Sequence, residues 1–162
     1  MWFRKAAEQG NRDAQYGLEL MYEEGQGVPQ DYAQAALWYR KAADQGEPRA
    51  QFNLGQMYRN GQGVPQDYTQ AAEWYRKAAE QGDSVAQLSL GFLYAKGQGV
   101  PQDNVQAYFW FDLAAAGKLD AANAERATKD RDLAADSLTP ADLARVQERA
   151  RKWFEEHPAK PQ

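Results

Sequence analysis

Residues 61–68 read GQGVPQDY; residues 25–32 spell the same eight letters, and residues 97–104 read GQGVPQDN. The copies begin at Gly25, Gly61 and Gly97, 36 residues apart. Trp2, Trp38, Trp74 and Trp110 keep that step, as do Tyr22, Tyr58 and Tyr94, and Ala14, Ala50, Ala86 and Ala122. A fixed period of 20–50 residues marks a repeat architecture. The three loops are therefore read as one structural device used three times.

Each unit carries two helical patterns. Over residues 47–82 the first helix is expected from about Pro48 to Asn60, with Ala50, Leu54, Met57 and Tyr58 on one face. Pro48 suits the first turn, where its missing N–H costs nothing. The position before it holds Asn11, Glu47 and Asp83 in successive units, two of them good N-caps. The second helix is expected from about Tyr68 to Glu80. Its stripe is Ala71, Ala72, Tyr75, Ala78 and Ala79, with Trp74 at the edge.

The quoted letters then read as a helix stop, a turn and a helix start. Gly61 suits the left-handed position after a helix, and Gly63 a second permissive residue. Val64 before Pro65 is pushed extended. Asp67 followed three residues later by Gln70 resembles a capping box, and Asp31/Gln34 and Asp103/Gln106 repeat it. A phosphate cradle is disfavoured: the third glycine of a dinucleotide fingerprint is missing and no strand pattern precedes the loops.

The motifs A-Q-x-x-L-G-x-x-Y, G-x-G-V-P-Q-D-Y and A-A-x-W-Y-R-K-A-A-x-Q-G resemble Sel1-like repeats, relatives of the tetratricopeptide repeat, over residues 2–118. The resemblance implies an all-α fold, a right-handed α/α superhelical solenoid of helix pairs. The division expected is a truncated half repeat over 1–10 and repeats over 11–46, 47–82 and 83–118. A degenerate repeat with a C-terminal capping helix follows over 119–157, then a disordered tail over 158–162.

Several features depart from the pattern. Glu19 stands where later units have Gly55 and Gly91, which predicts a looser helix approach. Arg126, Lys129 and Asp130 replace expected Leu, apolar and Tyr positions, as in a polar terminal cap. Thr139-Pro140-Ala141-Asp142 starts a last helix reaching about Glu156, with Leu143, Val146, Ala150, Trp153 and Phe154 inward. Met1 is followed at once by Trp2, so the array opens inside a second helix; a cut from a longer or processed chain is the expectation, with a natural start as the alternative.

Function is sought on faces the core does not use. On a helical wheel, Tyr16, Leu20, Phe52, Leu88 and Phe92 fall opposite the apolar stripe of the first helices, more large apolar groups than a solvated face holds. The resemblance places this column in a concave groove. Glu23, Glu24, Gln56, Arg59, Asn60 and Lys96 are the polar positions there. Two readings stand: an open apolar strip for a peptide, or side chains packed on one another by curvature. Leu37, Phe109 and Leu113 form a second candidate, either a surface patch or a seat for the terminal helix.

Chemistry finds little footing. The net charge is −4, without a basic stripe for nucleic acid. Cysteine is absent, and His157 is the lone histidine, in the expected tail. No catalytic triad or metal-ligand spacing is legible, so no cofactor and no metal is expected. No stretch is apolar enough to span a bilayer, and no signal-peptide pattern opens the chain. Some proteins of the resembled family are linked to β-lactam hydrolysis, but those have cysteine-rich repeats. The reading is a non-enzymatic, bacterial-type adaptor for a protein or peptide partner, monomeric. The alternatives are an assembly module packing end to end and, behind it, a cell-wall or lactam hydrolase. The resembled family includes exported and cytosolic proteins, so the compartment stays open.

Overall fold

In the computed structural model, which describes residues 2–158, every regular element is an α-helix. The order is α1 (Trp2–Glu8), α2 (Arg12–Glu24), α3 (Tyr32–Asp44), α4 (Pro48–Asn60), α5 (Tyr68–Glu80), α6 (Ser84–Lys96), α7 (Asn104–Ala115), α8 (Ala121–Ala135) and α9 (Pro140–Glu156). Two compact units divide the chain, Met1–Ala78 and Ala79–Gln162. The bounds of α4, α5 and α9 are those expected from the sequence. The expected tail lies, past Pro158, outside the described residues.

The repeated octapeptide does three jobs. Gly25, Gly61 and Gly97 sit left-handed, with φ of 72°, 69° and 63°, and donate their N–H to Met21, Met57 and Leu93 carbonyls. Gly63 combines a φ of 70° with a close approach: a Cβ there would lie 2.1 Å from the Tyr32 carbonyl oxygen. Asp31, Asp67 and Asp103 then cap the next helix through Oδ1, accepting from the amides two and three residues on at 2.8–3.0 Å. The expected capping box is only half closed. The aspartate amides bond back to the carbonyls of Tyr22, Tyr58 and Tyr94 at 2.8, 2.9 and 3.0 Å, so this donor is satisfied by the preceding helix.

Packing follows the same period. In the first unit Ala35, Tyr39, Ala50, Leu54 and Met57 join one buried cluster. Trp74, expected at a stripe edge, is itself buried. Glycine at position 55 lets two helices meet: a Cβ there would lie 2.7 Å from the Tyr75 ring. In the second unit Gly91 meets Phe111 in the same way, at 2.6 Å. The glutamine of each A-Q pair is buried as well. Gln15, Gln51 and Gln87 donate Nε2 to the carbonyls of Ala7, Ala43 and Ala79, each at 3.1 Å. Those carbonyls lie in the last turn of the preceding helix, where α-helical partners run out.

The W-Y/F-R-K letters also have partners. Arg4 donates to the Tyr22 hydroxyl, and Arg40 Nη2 donates to the Tyr58 hydroxyl at 2.5 Å. Lys41 and Lys77 lie 4.0 and 3.8 Å from the rings of Trp38 and Trp74. In α7 the arginine becomes Asp112, which pairs with Arg131 of α8 at 3.3 Å. Arg126 of α8 lies 4.4 Å from the Phe92 ring. Thr139 caps α9 by accepting from Asp142 N at 3.1 Å. Val146 and Ala150 of α9 are buried, and Leu143 and Trp153 half-buried. Phe154, expected inward, is 36% exposed. It lies about 80° round the helix from Val146, past the buried stripe.

Candidate functional site

The first-helix face differs between the two units. In the first, α2 presents Tyr16, 46% exposed, and half-buried Leu20 and Glu23. In α4, Phe52 and Gln56 are half-buried, while Arg59 and Asn60 are exposed. Phe52 leans on Tyr75 with centroids 5.6 Å apart. In the second unit Phe92 meets Phe111 edge-on at 5.2 Å and shares a cavity of about 380 Å³ with Lys96 and the α8 residues Asp130, Leu133 and Ala134.

Leu88 belongs to the core rather than to that face. It is 4% exposed, one of the residues that α6 buries on more than one side. The Leu37, Phe109 and Leu113 patch is also corrected. Leu37 is 57% exposed, but Phe109 and Leu113 are 2% and 1% exposed. α9 covers this part of α7: the Arg149 guanidinium lies 3.7 Å from the Phe109 ring, and Gln147 donates to the Tyr108 hydroxyl at 3.3 Å.

The polar candidates divide by what holds them. Glu23 accepts from the Tyr39 hydroxyl at 2.5 Å, so it is tied to α3. Burial, and then this carboxylate, push the Tyr39 hydroxyl well above the usual phenol range. Glu24 accepts from Gln26 at the exposed helix end. Asn60 donates to Gln62 at 3.2 Å in the turn.

Glu19 was legible in sequence as an oddity, not as a site. The structure buries it at 2% exposure, and its Oε1 has no hydrogen-bond partner among the described residues. It faces a cavity of about 230 Å³ with Tyr16, Gln45, Glu47 and Arg49, between the alanines at 42 and 50. Burial, then the carboxylates of Glu47 and Glu23, push its pKa from 4.5 up to about 7. Glu47 stands at the N-cap of α4 but makes no side-chain cap bond. Asn11 and Asp83, at the matching position, cap through their side chains at 2.9 and 2.8 Å. A glutamate has one methylene too many for that short reach, and its carboxylate lines the cavity.

His157 stacks on Trp153 at 4.2 Å, with Nδ1 2.9 Å from the Trp153 carbonyl oxygen. No group of three His, Cys, Asp or Glu among the described residues is arranged to hold a metal ion. No helix among them is long and apolar enough to cross a membrane.

The Sel1 repeat family model matches residues 1–11, 12–47, 48–83, 84–118 and 138–156. The chain belongs to the Sel1 repeat family. Proteins of this family are in general interaction scaffolds. Solved Sel1-type structures resemble it. A protective antigen of uropathogenic Escherichia coli that displays an SLR fold is 36% identical, with a TM-score of 0.71 over 95% of this chain. The present chain spans 40% of that antigen's length. A Sel1 repeat protein from Oxalobacter formigenes is 40% identical, with a TM-score of 0.69, covering 78% of this chain and 95% of its own. Cysteine rich protein B of Helicobacter pylori is 25% identical, with a TM-score of 0.57, covering 75% and 86%. No curated protein matches significantly. The all-α helix-pair repeat fold that the Sel1 resemblance implies is thus the fold of this chain.

Proposed function

We propose that this Sel1 repeat chain is a non-enzymatic adaptor that binds an extended peptide or protein segment along its first-helix face. The observation that carries the reading is Tyr16, 46% exposed on the first-helix face that also carries half-buried Leu20 in α2 and Phe52 in α4. Together these side chains give the first-helix face of this unit an apolar strip next to a cavity, and such exposed strips mark interaction sites. Aromatic anchors of this kind carry much of the binding energy at protein interfaces. In the second unit Phe92 is already overlaid by Arg126, which favours the first unit as the main anchor point.

A displayed library of random dodecamer peptides, selected on the whole chain, tests this. Selected peptides are expected to lose about tenfold in affinity or more for Tyr16→Ser, the size of a hot-spot truncation. Leu37→Ser, at a position more exposed than Tyr16 and on another helix, serves as the control and should bind as the parent does. Peptides bound equally by Tyr16→Ser and the parent would remove the first-helix face from the reading.

A further inference from the structure

Two positions of the repeat carry unusual residues, and both open on one cavity. Position 19 holds glutamate where the next two units hold Gly55 and Gly91. Position 47 holds glutamate where its neighbours in register are Asn11 and Asp83, both of which cap a helix. Glu47 caps nothing through its side chain, and Glu19 keeps a buried oxygen without a partner among the described residues. Neither change serves the helix pair in which it sits. A glycine would pack more closely at position 19, and an aspartate would cap better at position 47. What the two changes create together is a small acidic cavity with an aromatic rim.

We infer that this cavity receives the cationic side chain of a lysine or arginine from a bound peptide. The inference deepens, and rests on, the peptide-binding reading of the first-helix face. Charge selects the occupant: two carboxylates, with Glu23 behind them, face a space that offers the Gln45 amide and one exposed cation, Arg49. Size selects it too. About 230 Å³ lies below the roughly 300–1,000 Å³ of small-molecule sites, and suits one side chain. The Tyr16 ring at the rim provides a face for a cation. The walls at Ala42 and Ala50 give the alkyl stem an apolar lining.

An incoming cation supplies what Glu19 lacks. It donates to the orphan Oε1 and offsets the mutual repulsion of Glu19, Glu47 and Glu23, so that Glu19 ionises as the guest enters. Arg49 is the competitor inside the chain. It forms no ion pair with either carboxylate among the described residues, yet its positive charge opposes a second cation at the rim.

The test is an NMR titration of the whole chain with the capped tripeptide acetyl-Ala-Arg-Ala-amide and its lysine counterpart. The uncharged norleucine tripeptide and magnesium chloride are the comparison arms. Saturable shifts at Tyr16, Gln45 and Ala50 are expected from both basic peptides, with affinity in the millimolar range. Glu19→Gln should weaken binding about tenfold, as loss of a charge-assisted hydrogen bond does. Arg49→Ala should tighten it about twofold by relieving like-charge repulsion. That gain separates a binding role from a merely structural one. Unchanged spectral dispersion in Glu19→Gln shows that the fold persists. If that variant unfolds, Glu47→Gln takes its place with the same expectation. Equal shifts from the norleucine peptide, shifts from magnesium alone, or none below about 20 mM peptide each overturn the inference. Should library peptides still depend on Tyr16 while these tripeptides fail, the groove survives and the cation pocket does not.

Discussion

Glu19 shows how one carboxyl can load a repeat with pH dependence. Its folded-state pKa of about 7 lies above the 4.5 of an ordinary glutamate. Between those two values the folded chain binds more protons than the unfolded one, so stability falls as pH rises, and the loss is complete above about pH 7. The groups facing Glu19 are Glu23 on its own helix, Tyr39 of α3, and Glu47 and Arg49 at the start of α4. In urea melts, Glu19→Gln should flatten the decline between pH 5 and 8 and gain on the order of 2 kcal/mol at pH 8. A parent chain equally stable at both pH values would show that Glu19 is ionised and solvated in the fold. Sequence reading found this residue as a misfit to the glycine column. It could not see that the misfit meets Glu47, because the two lie 28 positions apart and share no motif.

At the scale of the helix, the device that repeats most faithfully is the buried glutamine. Gln15, Gln51 and Gln87 each tie the start of a first helix to the final turn of the helix before it. The accepting carbonyls of Ala7, Ala43 and Ala79 each also accept a backbone N–H at 3.0 Å, from Gly10, Gly46 and Gly82 respectively, so the glutamine is the second donor and fixes the angle of the short turn between the two helices. Gln51→Leu keeps the volume but leaves the Ala43 carbonyl buried without that donor. The Gly46 amide remains on that carbonyl, so the loss is that of one ordinary hydrogen bond, about 0.5–1.5 kcal/mol. For a chain of this size that lowers the melting temperature by about 2–4 °C per kcal/mol, read by circular dichroism. A melting temperature within a degree of the parent's would mean that the Gly46 amide alone suffices for this carbonyl. The letter Q in A-Q-x-x-L-G was plain in sequence, but its partner was not. A polar residue on an apolar stripe announces a hydrogen bond without naming the acceptor.

For the molecule as a whole, the competing reading is assembly. In the first unit a cavity of about 880 Å³ opens among Arg4, Lys5, Glu8, Leu18, Met21, Tyr22 and Val28. It is the size of a site that another helix or ligand could enter. Under the adaptor reading the chain sediments as a monomer at micromolar concentration. A dimer by light scattering, lost in Met21→Ser, would move the function to end-to-end packing. Two further faces look different in three dimensions than on a wheel. Leu88, Phe109 and Leu113 sit at positions a wheel leaves outside the core, yet each is covered in the second unit. The wheel has one inside and one outside. A helix flanked by neighbours on several sides, as α7 is by α6, α8 and α9, has no free apolar face left.

What a reader of the letters can know about this protein is therefore whatever repeats. The period, the helix bounds, the left-handed glycines, the aspartate caps and the Sel1 resemblance all rest on local backbone preferences, expressed three times in register. What does not repeat had to be seen in place. Glu19 and Glu47 acquire meaning through each other, Phe109 through Arg149, and Phe92 through Arg126. Each of these contacts joins residues on different helices. Electrostatic coupling and burial depend on distance in space, and a repeat pattern encodes distance only along the chain.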